Sequence, residues 1–502
     1  MKLIQENRLL SKIKESVLYF WDQDKDKLRE ECGVFGIWGH NEAATITALA
    51  LHSLQHRGQE AAGIVSYDKR HFHSERRFGL VSDNFTNKKV MGRLPGESAI
   101  GHVRYSTTGE SAIRNIQPLY ADLSLGGFAV AHNGNFTNAL KLREQLVFDG
   151  AIFQSTSDTE AVLQLTAKSK KNGTVARFAD ALSFVDGAYA LVALSDDNLL
   201  GARDPFGIRP LIIGKLGDSF VLASETCALD IIGAEFLREV ENGELVVISD
   251  AGIKSYKAVN RLPERKCIFE YIYFARPDSV IDGLSVYECR KEFGRRLALE
   301  SHVPSDIVVP VPDSGVPAAL GYAEQAGLNF ELGIIRNHYV GRTFIEPQQS
   351  SRAFGVKLKH NINCEVVKDK RVVLVDDSIV RGTTSVKIVE LMREAGAKEI
   401  HMRIASPPIK FPDFYGIDTP QSEQLLASTK SLTEIKKFIG VDSLDFLSLD
   451  GLYVAMGHPQ GRDPLNPAFT DHCFSGDYPT ALIDQGIEWP SEPSQLATHD
   501  TH

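Results

Sequence analysis

Residues 371–384, RVVLVDDSIVRGTT, constrain the fold of this 502-residue chain more than any other segment. Consecutive apolar residues lead into two adjacent carboxylates, Asp376 and Asp377, and a loop of small residues follows. A continuous β-branched run predicts a strand buried on both faces, as in a parallel sheet covered by helices. Because α/β sheets bind ligands beyond the carboxyl ends of their strands, the acid pair marks a candidate site.

The loop after the acid pair suits a phosphate group. Successive N–H groups from Ser378 to Thr384 are expected to form an anion-binding nest at a helix N-terminus. The carboxylates repel phosphate, so their predicted role is to bind sugar hydroxyls or a hydrated Mg2+ ion. A solvated acidic turn would explain an isolated acid pair, but the ordered strand, acid pair and loop favour a binding site.

The helix predicted after this loop has one apolar face. Ile388, Leu391, Met392 and Ala395 occupy the i, i+3, i+4 and i+7 positions, and Gly396 is a predicted stop. Strands that alternate with such helices predict a parallel α/β domain in the C-terminal half of the chain.

Two further segments of this half carry residues suited to pyrophosphate. Ser314 lies in the strand-to-loop segment VPVPDSG, and its hydroxyl is a candidate ligand for a metal or for pyrophosphate. Arg342, Arg352, Lys357 and Lys359 form a basic cluster in an acidic protein. Such a cluster is usually a solvated loop, but here a mobile lid over pyrophosphate is the preferred interpretation.

The composition argues against several classes of protein. The net charge of -10 disfavours nucleic acid as the main partner, because phosphate binding needs a surplus of Lys and Arg. No apolar run approaches the roughly 18 to 20 residues that cross a bilayer. Residues 1–31 have neither a signal-peptide core nor the composition of a transit peptide. We therefore predict a cytoplasmic protein with no membrane association.

The N-terminal half has a different pattern. From Cys32 to about residue 260 the chain reads as short strands with turn signals, interrupted by helices near 41–54 and 138–145. The predicted divisions of the chain are a leader, a first domain, a second domain and a tail, covering residues 1–31, 32–260, 261–475 and 476–502 respectively.

The six cysteines show no C-x-x-C spacing, which disfavours a disulfide framework or a structural zinc site. Most are expected to be buried reduced thiols. Cys32 stands apart, because it follows a charged leader and begins the segment CGVFGI.

Three polar segments flanked by glycine or small residues accompany Cys32: GHVRYSTTG (101–109), AHNGNFTN (131–138) and STSDTEAV (155–162). Each alone is an ordinary turn. Together with CGVFGI they resemble, in order and spacing, the glutamine amidotransferase domain of the N-terminal-nucleophile (class II) type. Residues 371–384 resemble the phosphoribosyl pyrophosphate (PRPP) motif of type I phosphoribosyltransferases. The chain from Cys32 onward is thus similar to the amidophosphoribosyltransferase family.

This resemblance implies an α/β protein, with an αββα sandwich of the N-terminal-nucleophile type followed by a parallel-sheet domain. It implies transfer of glutamine-derived ammonia to PRPP, giving 5-phosphoribosylamine, glutamate and pyrophosphate in the first committed step of purine synthesis. The implied cofactor is Mg2+, one per subunit. Family members are typically homotetramers inhibited by purine nucleotides.

The resemblance also assigns roles to residues of the first domain. Cys32 is the implied nucleophile, and the side chain of Asn133 and the N–H of Gly134 are the implied oxyanion hole. Arg104 and Asp158 are implied to bind the α-carboxylate and α-ammonium groups of glutamine.

In the second domain the resemblance assigns the acid pair to the ribose hydroxyls and the loop to the 5′-phosphate. The residues implied to bind PRPP are Asp376, Asp377, Ser378, Arg381, Gly382, Thr383, Thr384, Arg342 and Lys357. The implied metal ligands are Ser314, Asp376 and Asp377.

The position of Cys32 inside the chain has a chemical consequence. A free thiol has a pKa of about 8.5 and needs a base, and an N-terminal amine with a pKa of about 7.7 to 8.0 can serve. A peptide nitrogen cannot, since its lone pair is delocalised. The sequence therefore predicts cleavage between Glu31 and Cys32, with residues 1–31 as a propeptide and an inert glutaminase before cleavage.

Some members of the family hold a [4Fe–4S] cluster on four cysteines. Cys267 and Cys473 stand in the corresponding regions, but Asp413 replaces a third cysteine and the segment LNPAFTDHC lacks the C-x-x-C of those members. We therefore predict no iron–sulfur cluster.

Other functions fit the sequence less well. Asparagine synthetase needs an S-G-G-x-D-S loop that the sequence lacks, and the sugar-isomerase domains of glucosamine-phosphate synthase conflict with residues 371–384. A PRPP-sensing regulator without catalysis and a cysteine peptidase are the remaining alternatives. The intact set of residues around Cys32 argues against the regulator.

Overall fold

The structure is a computed structural model, which describes residues 29–30, 32–105, 112–337, 360–419 and 421–486. These residues form two compact units. The sandwich unit comprises the described residues of 29–287, 413–418 and 463–486, and the parallel-sheet unit those of 288–412 and 419–462. Residues 413–418, called the strap below, belong to the sandwich unit although the chain on both sides belongs to the parallel-sheet unit.

The sandwich unit contains two antiparallel sheets, one of seven strands and one of six. The seven strands are, in spatial order, β12 (Glu235–Glu239), β10 (Ile212–Leu216), β11 (Ser219–Ala223), β2 (Cys32–Trp38), β5 (Ser98–Arg104), β3 (Ala61–Tyr67) and β4 (Phe72–Phe78). The six strands are β14 (Gly252–Lys257), β13 (Glu244–Ser249), β9 (Leu199–Arg203), β8 (Gly187–Ser195), β7 (Gly126–Phe136) and β6 (Leu119–Leu123).

Short ladders complete the pairing. They are β1 (Arg29–Glu30) with β24 (Ile417–Asp418), β15 (Lys266–Cys267) with β26 (Phe469–Thr470), β16 (Val280–Ile281) with β17 (Leu284–Ser285), and β20 (Ile334–Arg336) with β21 (His360–Ile362).

Helices are numbered along the chain. The first group is α1 (Ala43–Ser53), α2 (Val81–Asn84), α3 (Lys88–Met91), α4 (Ala139–Phe148), α5 (Thr159–Lys168), α6 (Thr174–Leu182) and α7 (Cys227–Ile232). The second group is α8 (Val286–Glu300), α9 (Val316–Ala326), α10 (Cys364–Val367), α11 (Thr383–Glu394), α12 (Leu426–Thr429), α13 (Leu432–Ile439), α14 (Leu449–Ala455) and α15 (His472–Ser475). Three 3₁₀ turns lie at Ile113–Asn115, Ser422–Gln424 and Ile483–Gln485, and a π turn at Glu270–Phe274.

The layers of the sandwich unit follow from side-chain alternation along its strands. On β2, Phe35 and Ile37 pack into a core with α1 and α7, whereas Val34 and Trp38 pack between the two sheets. Helices α5 and α6 cover the outer face of the six-stranded sheet through a separate core. The predicted αββα sandwich is therefore confirmed.

The parallel-sheet unit is built on five strands, and all of its neighbouring pairs are parallel. They are, in spatial order, β19 (Asn329–Phe330), β18 (Ile307–Pro310), β22 (Arg371–Asp376), β23 (Glu399–Ile404) and β25 (Ser443–Phe446). Each residue from Val372 to Val375 is fully buried, because β22 is the central strand. The expected parallel sheet is confirmed.

Several predicted elements differ at their ends or were missed. Helices α1 and α4 match the stretches expected near 41–54 and 138–145. Helix α11 begins at Thr383, so Thr383 and Thr384 are its first residues and not part of the preceding loop. Helices α5 and α6 were not predicted. Among the described residues, no helix combines the length and apolar character needed to cross a bilayer.

We predict that Gly36→Ala lowers the melting temperature, because Gly36 allows the two sheets to approach. A Cβ atom at this position would lie 2.7 Å from side-chain atoms of both Leu199 and Val192. Overpacking of this kind costs about 1–3 kcal/mol. Gly92→Ala, at the end of α3, is the control, because its Cβ would meet only carbonyl oxygens of its own helix. Equal melting temperatures for the two variants would contradict this account of the packing.

Candidate active site

Cys32 is the first residue of β2, in the middle of the seven-stranded sheet. Its Cα lies directly opposite that of Arg104, the last residue of β5. Directly opposed residues of neighbouring antiparallel strands point to the same face, with Cβ atoms about 4.5–5.5 Å apart. The register therefore places the thiol of Cys32, a residue that is 8% exposed, beside the side chain of Arg104.

Arg104 is buried, and its Nη1 has no hydrogen-bond partner among the described residues. A buried N–H group without a partner is costly, by about 1–3 kcal/mol or more for a charged group. A carboxylate can accept two parallel hydrogen bonds from a guanidinium group. The site therefore holds a donor that suits a carboxylate ligand.

Asn133 lies on β7 and is fully buried. Neither polar atom of its side-chain amide has a hydrogen-bond partner in the part of the chain that the structure describes. The neighbouring Gly134 has φ 135°, and a Cβ there would lie 2.1 Å from the carbonyl oxygen of Ala188. Only glycine fits at this position, and the Asn133 amide is left as a buried donor.

A hydrogen bond between the sheets brings this pair to the edge where β2 begins. His102 lies on β5 opposite Val34, and its Nε2 is 3.1 Å from the carbonyl oxygen of His132. Burial, with a smaller contribution from Arg104, lowers the pKa of His102 to about 3. The ring is therefore neutral and donates Nε2–H to the carbonyl, and Asn133 follows this anchored residue directly.

Asp158 precedes α5 and is held by several donors. Its Oδ1 accepts the N–H of Thr159 at 2.8 Å, and its Oδ2 accepts the N–H of Phe136 at 3.1 Å. The Nδ1 atom of His132 lies 3.4 Å from the same Oδ2. Burial raises the pKa of Asp158, but the combined lowering by His132 and the two N–H donors is larger, so the net shift is downward. The carboxylate therefore stays ionised, as binding of an ammonium group requires.

The acid pair lies at the carboxyl end of β22. Asp376 and Asp377 are each 5% exposed, and the N–H of Asp377 donates to Asp376 Oδ1 at 3.0 Å. The hydroxyl of Ser378 donates to Asp377 Oδ2 at 2.7 Å. Gly382 precedes α11 with φ 76°. The acid pair and the loop that follows it line a small cavity. Its lining residues are Asp376, Asp377, Ser378, Ile379, Val380, Gly382, Thr384 and Ser385.

Other predicted ligands of the second domain have separate positions. Arg381 donates from Nη2 to Gln424 Oε1 at 2.9 Å. Ser314 follows β18, the strand beside β22, and its hydroxyl is buried with no hydrogen-bond partner among the described residues. Arg342 and Lys357 lie outside the described residues, as does the rest of the predicted basic lid.

Comparison with known proteins identifies the family. A family model for a glutamine amidotransferase domain matches residues 102–230, and one for a phosphoribosyl transferase domain matches residues 295–405. An amidophosphoribosyltransferase of Rhizobium etli is 59% identical over 483 residues, which cover 95% of this chain and 97% of that protein. The chain belongs to the amidophosphoribosyltransferase family.

Other members of the family are also similar over most of their length. The amidophosphoribosyltransferase of Bacillus subtilis is 50% identical, with 92% of this chain and 96% of that protein covered. A solved structure of glutamine PRPP amidotransferase from B. subtilis, complexed with ADP and GMP, gives a TM-score of 0.85 at 49% identity. That match covers 90% of this chain and 98% of the other.

The donor set of the second domain fits the magnesium ion that the phosphoribosyltransferase resemblance implies. Two buried carboxylates and the unpartnered hydroxyl of Ser314 are hard oxygen ligands, which Mg2+ prefers. Their strands, β22 and β18, are parallel neighbours, so the loops that follow them leave the same edge of the sheet.

The residues near Asp413 do not fit a cluster held by four thiolates. Asp413 Oδ2 accepts N–H groups of Tyr415 and Ile417, and Oδ1 lies 2.7 Å from His472 Nε2. None of the six cysteines forms a disulfide within the described ranges, and two of them, Cys267 and Cys473, interact electrostatically with Asp413. Burial raises the pKa of Cys267 to about 12. The absence of a cluster stays a prediction from the sequence.

Sequence reasoning named Asn133, Gly134 and Asp158 but missed the two histidines that connect them. His132 precedes Asn133 in the segment AHNGN, and its ring stacks on Phe136 with centroids 4.4 Å apart. A histidine directly before two asparagines that are separated by a glycine was the available signal. Its contact with Asp158 depends on tertiary folding and could not be read from spacing.

We predict that the stability difference between the wild type and Asp158→Asn depends on pH. The folded-state pKa of Asp158 is lower than its ordinary value of 3.8, so its ionised form stabilises the fold fully above that value. The melting temperature of the wild type should exceed that of the variant at pH 6, and the difference should shrink as the pH falls below about 4. Asp218→Asn, at an exposed position, is the control. A difference in melting temperature between the wild type and Asp158→Asn that does not depend on pH would contradict the stabilising role of the ionised Asp158.

Proposed function

We propose that this chain transfers the amide nitrogen of glutamine to PRPP, giving 5-phosphoribosylamine, glutamate and pyrophosphate. This reaction is the first committed step of purine synthesis. The observation that carries the proposal is a buried Asn133 amide and Arg104 guanidinium, both with unpartnered polar atoms among the described residues, at the edge where Cys32 begins β2. The relatives named amidophosphoribosyltransferase, and the two matched domains within one chain, support it.

In the glutaminase half, the thiolate of Cys32 attacks the side-chain amide carbon of glutamine. The oxyanion that forms accepts hydrogen bonds from the Asn133 side chain and the Gly134 N–H, each worth about 2.7–4 kcal/mol of barrier. Ammonia leaves, and water then cleaves the γ-glutamyl thioester to give glutamate. Arg104 binds the α-carboxylate and Asp158 the α-ammonium group, so both ends of the substrate are fixed during attack.

The free amine of Cys32 is the proposed base, which requires removal of residues 1–31 as a propeptide. The amine takes the thiol proton and delivers it to the departing nitrogen. No histidine is needed for this transfer. His102, which lies near this edge, is neutral and engaged with the His132 carbonyl.

In the transferase half, Asp376 and Asp377 bind the ribose hydroxyls, and Ser378 to Thr384 bind the 5′-phosphate at the start of α11. Two features require glycine at position 382. Its φ of 76° is in the left-handed region that other residues rarely adopt, and a Cβ there would lie 2.7 Å from Leu426. Mg2+, held by Ser314 and the acid pair, would neutralise the charge on the leaving pyrophosphate. Ammonia attacks C1 and pyrophosphate leaves, so the nitrogen must arrive unprotonated and shielded from bulk water.

The remaining features are proposed on the family resemblance. They are a homotetramer in the cytoplasm, feedback inhibition by purine nucleotides and closure of a lid that includes Arg342 and Lys357. The ADP and GMP bound in the solved B. subtilis structure support the inhibition.

We predict that Cys32→Ala abolishes glutamine-dependent pyrophosphate release and spares synthesis from added ammonia. The transferase half keeps its own binding groups, so the loss should be confined to glutamine use. The measurement is pyrophosphate release with glutamine and, separately, with ammonium at alkaline pH. The buried Cys227→Ser is the matched control and should retain both activities. Loss of both activities in Cys32→Ala would refute the division of labour, and PRPP binding without any turnover in the wild type would favour the sensor alternative.

We predict that active protein begins at Cys32. Intact-mass measurement of purified, glutaminase-competent enzyme should show loss of residues 1–31. A Glu31→Pro variant, designed to block cleavage of the bond between residues 31 and 32, should keep the leader and lack glutaminase activity. Full glutaminase activity in protein that retains the leader would refute the role of the free amine.

A further inference from the structure

We propose that the strap, residues 413–418, is a positioning element for the oxyanion pair of the glutaminase. The proposal rests on the proposed function of Cys32, Asn133 and Gly134. It assigns a role in catalysis to a segment that none of the motifs includes. The argument depends on contacts within the sandwich unit.

The strap touches the oxyanion segment directly. The side-chain Nδ2 of Asn135 donates to the carbonyl oxygen of Phe414 at 2.9 Å. Gly416 has φ 118°, and a Cβ there would lie 3.0 Å from the Cα of Gly134. The two glycine backbones therefore meet in a space that admits no side chain, so movement of the strap would displace Gly134.

A buried arginine holds the middle of the strap. Arg209 is fully buried, and its Nε and Nη2 donate to the carbonyl oxygen of Tyr415 at 3.0 and 2.9 Å. Its Nη1 lies 3.4 Å from Glu270 Oε1, which compensates the charge. The Tyr415 hydroxyl lies 3.0 Å from Thr480 Oγ1 and accepts the N–H of Thr480 at 3.1 Å. Both the backbone and the side chain of Tyr415 are thus fixed.

Asp413 shapes the strap from within. Its Oδ2 accepts N–H groups of Tyr415 at 2.8 Å and Ile417 at 2.7 Å, which folds the segment into a tight loop. Its Oδ1 lies 2.7 Å from His472 Nε2, a contact that ties the loop to α15. These contacts engage both carboxylate oxygens, so Asp413 acts here as a brace between protein groups.

The other edge of the strap borders the segment before the nucleophile. Backbone of Ile417–Asp418 pairs antiparallel with Arg29–Glu30, and Cys32 follows two residues after Glu30. Arg29 and Glu30 belong to the proposed propeptide, so this pairing is present only while the leader is attached. In the proposed mature enzyme the strap acts on the site through Gly134 and Asn135.

The first test is Gly416→Ala. Its Cβ would press on Gly134 and on Arg209 Nη2, which lies 2.7 Å from the added atom. We expect the glutaminase kcat to fall about tenfold or more, as a displaced oxyanion donor requires. The KM for glutamine should change by less than about threefold, because Arg104 and Asp158 are untouched, and ammonia-dependent synthesis should be unchanged. Gly173→Ala is the control, since Gly173 also has positive φ but nothing within 4 Å of its Cβ.

The second test removes the internal brace. Asp413→Ala should lower the glutaminase kcat while sparing the ammonia-dependent activity, and Asp413→Asn should restore part of the loss. Asp180→Ala, which removes a partly buried aspartate of the same unit, is the matched control and should leave both activities unchanged. Parallel loss of both activities in Asp413→Ala would indicate a general structural role and overturn the proposal.

Two further outcomes are decisive. If the wild type has glutaminase activity and both strap variants have the same kcat as the wild type, this inference is overturned but the proposed function stays intact. A wild type without glutaminase activity would instead overturn the proposed function. Metal analysis of the purified protein separates another role for Asp413. Stoichiometric zinc or iron that is lost in Asp413→Ala would show a metal ligand and overturn the hydrogen-bonded brace.

Discussion

The antiparallel pairing of β2 with β5 is the constraint on which the sandwich unit depends. It sets Cys32 opposite Arg104, and a slip of β2 by one residue would turn the Cys32 side chain to the other face of the sheet, away from Arg104. The register is protected by the close packing around Gly36, where the six-stranded sheet leaves no room for a side chain. The hydrogen bond from His102 to His132 links β5 to β7, so Asn133 and Gly134, the proposed oxyanion pair, are placed by the same pairing.

The parallel-sheet unit positions the polar groups of its candidate site in a different way. Its site depends on the central position of β22, which buries four consecutive apolar residues and presents the acid pair where they end. Residues suited to binding an anion come from the loop and from the first turn of α11, where backbone N–H groups lack intrahelical partners. Polar groups in this unit are thus supplied by a strand end and a helix start. The sandwich unit also uses strand ends, at Cys32 and Arg104, but it places Asn133 within strand β7.

Much of this organisation could be predicted from local pattern. The continuous run before Asp376 predicted a central parallel strand, and the order of the short motifs around Cys32 predicted the sandwich and its family. Helix α5 was missed because its sequence, TEAVLQLTAK, begins inside a segment that reads as a turn. The role of the strap was missed because FPDFYGID carries the Pro, Gly and Asp of an ordinary loop. In addition, Asn135, which donates a hydrogen bond to Phe414 of the strap, is 279 residues away from it in sequence. Contacts of that range are fixed by tertiary packing, which spacing does not encode.

The buried polar atoms of Arg104 and Asn133 have a thermodynamic consequence. Folding has already removed water from both groups, so the cost of dehydrating them is part of the free energy of unfolding and is absent from ligand association. Hydrogen bonds that a ligand makes to them should therefore appear as heat released on binding, with little opposing heat from stripping the protein side of water. Buried, prearranged polar groups of this kind imply a calorimetric signature dominated by enthalpy.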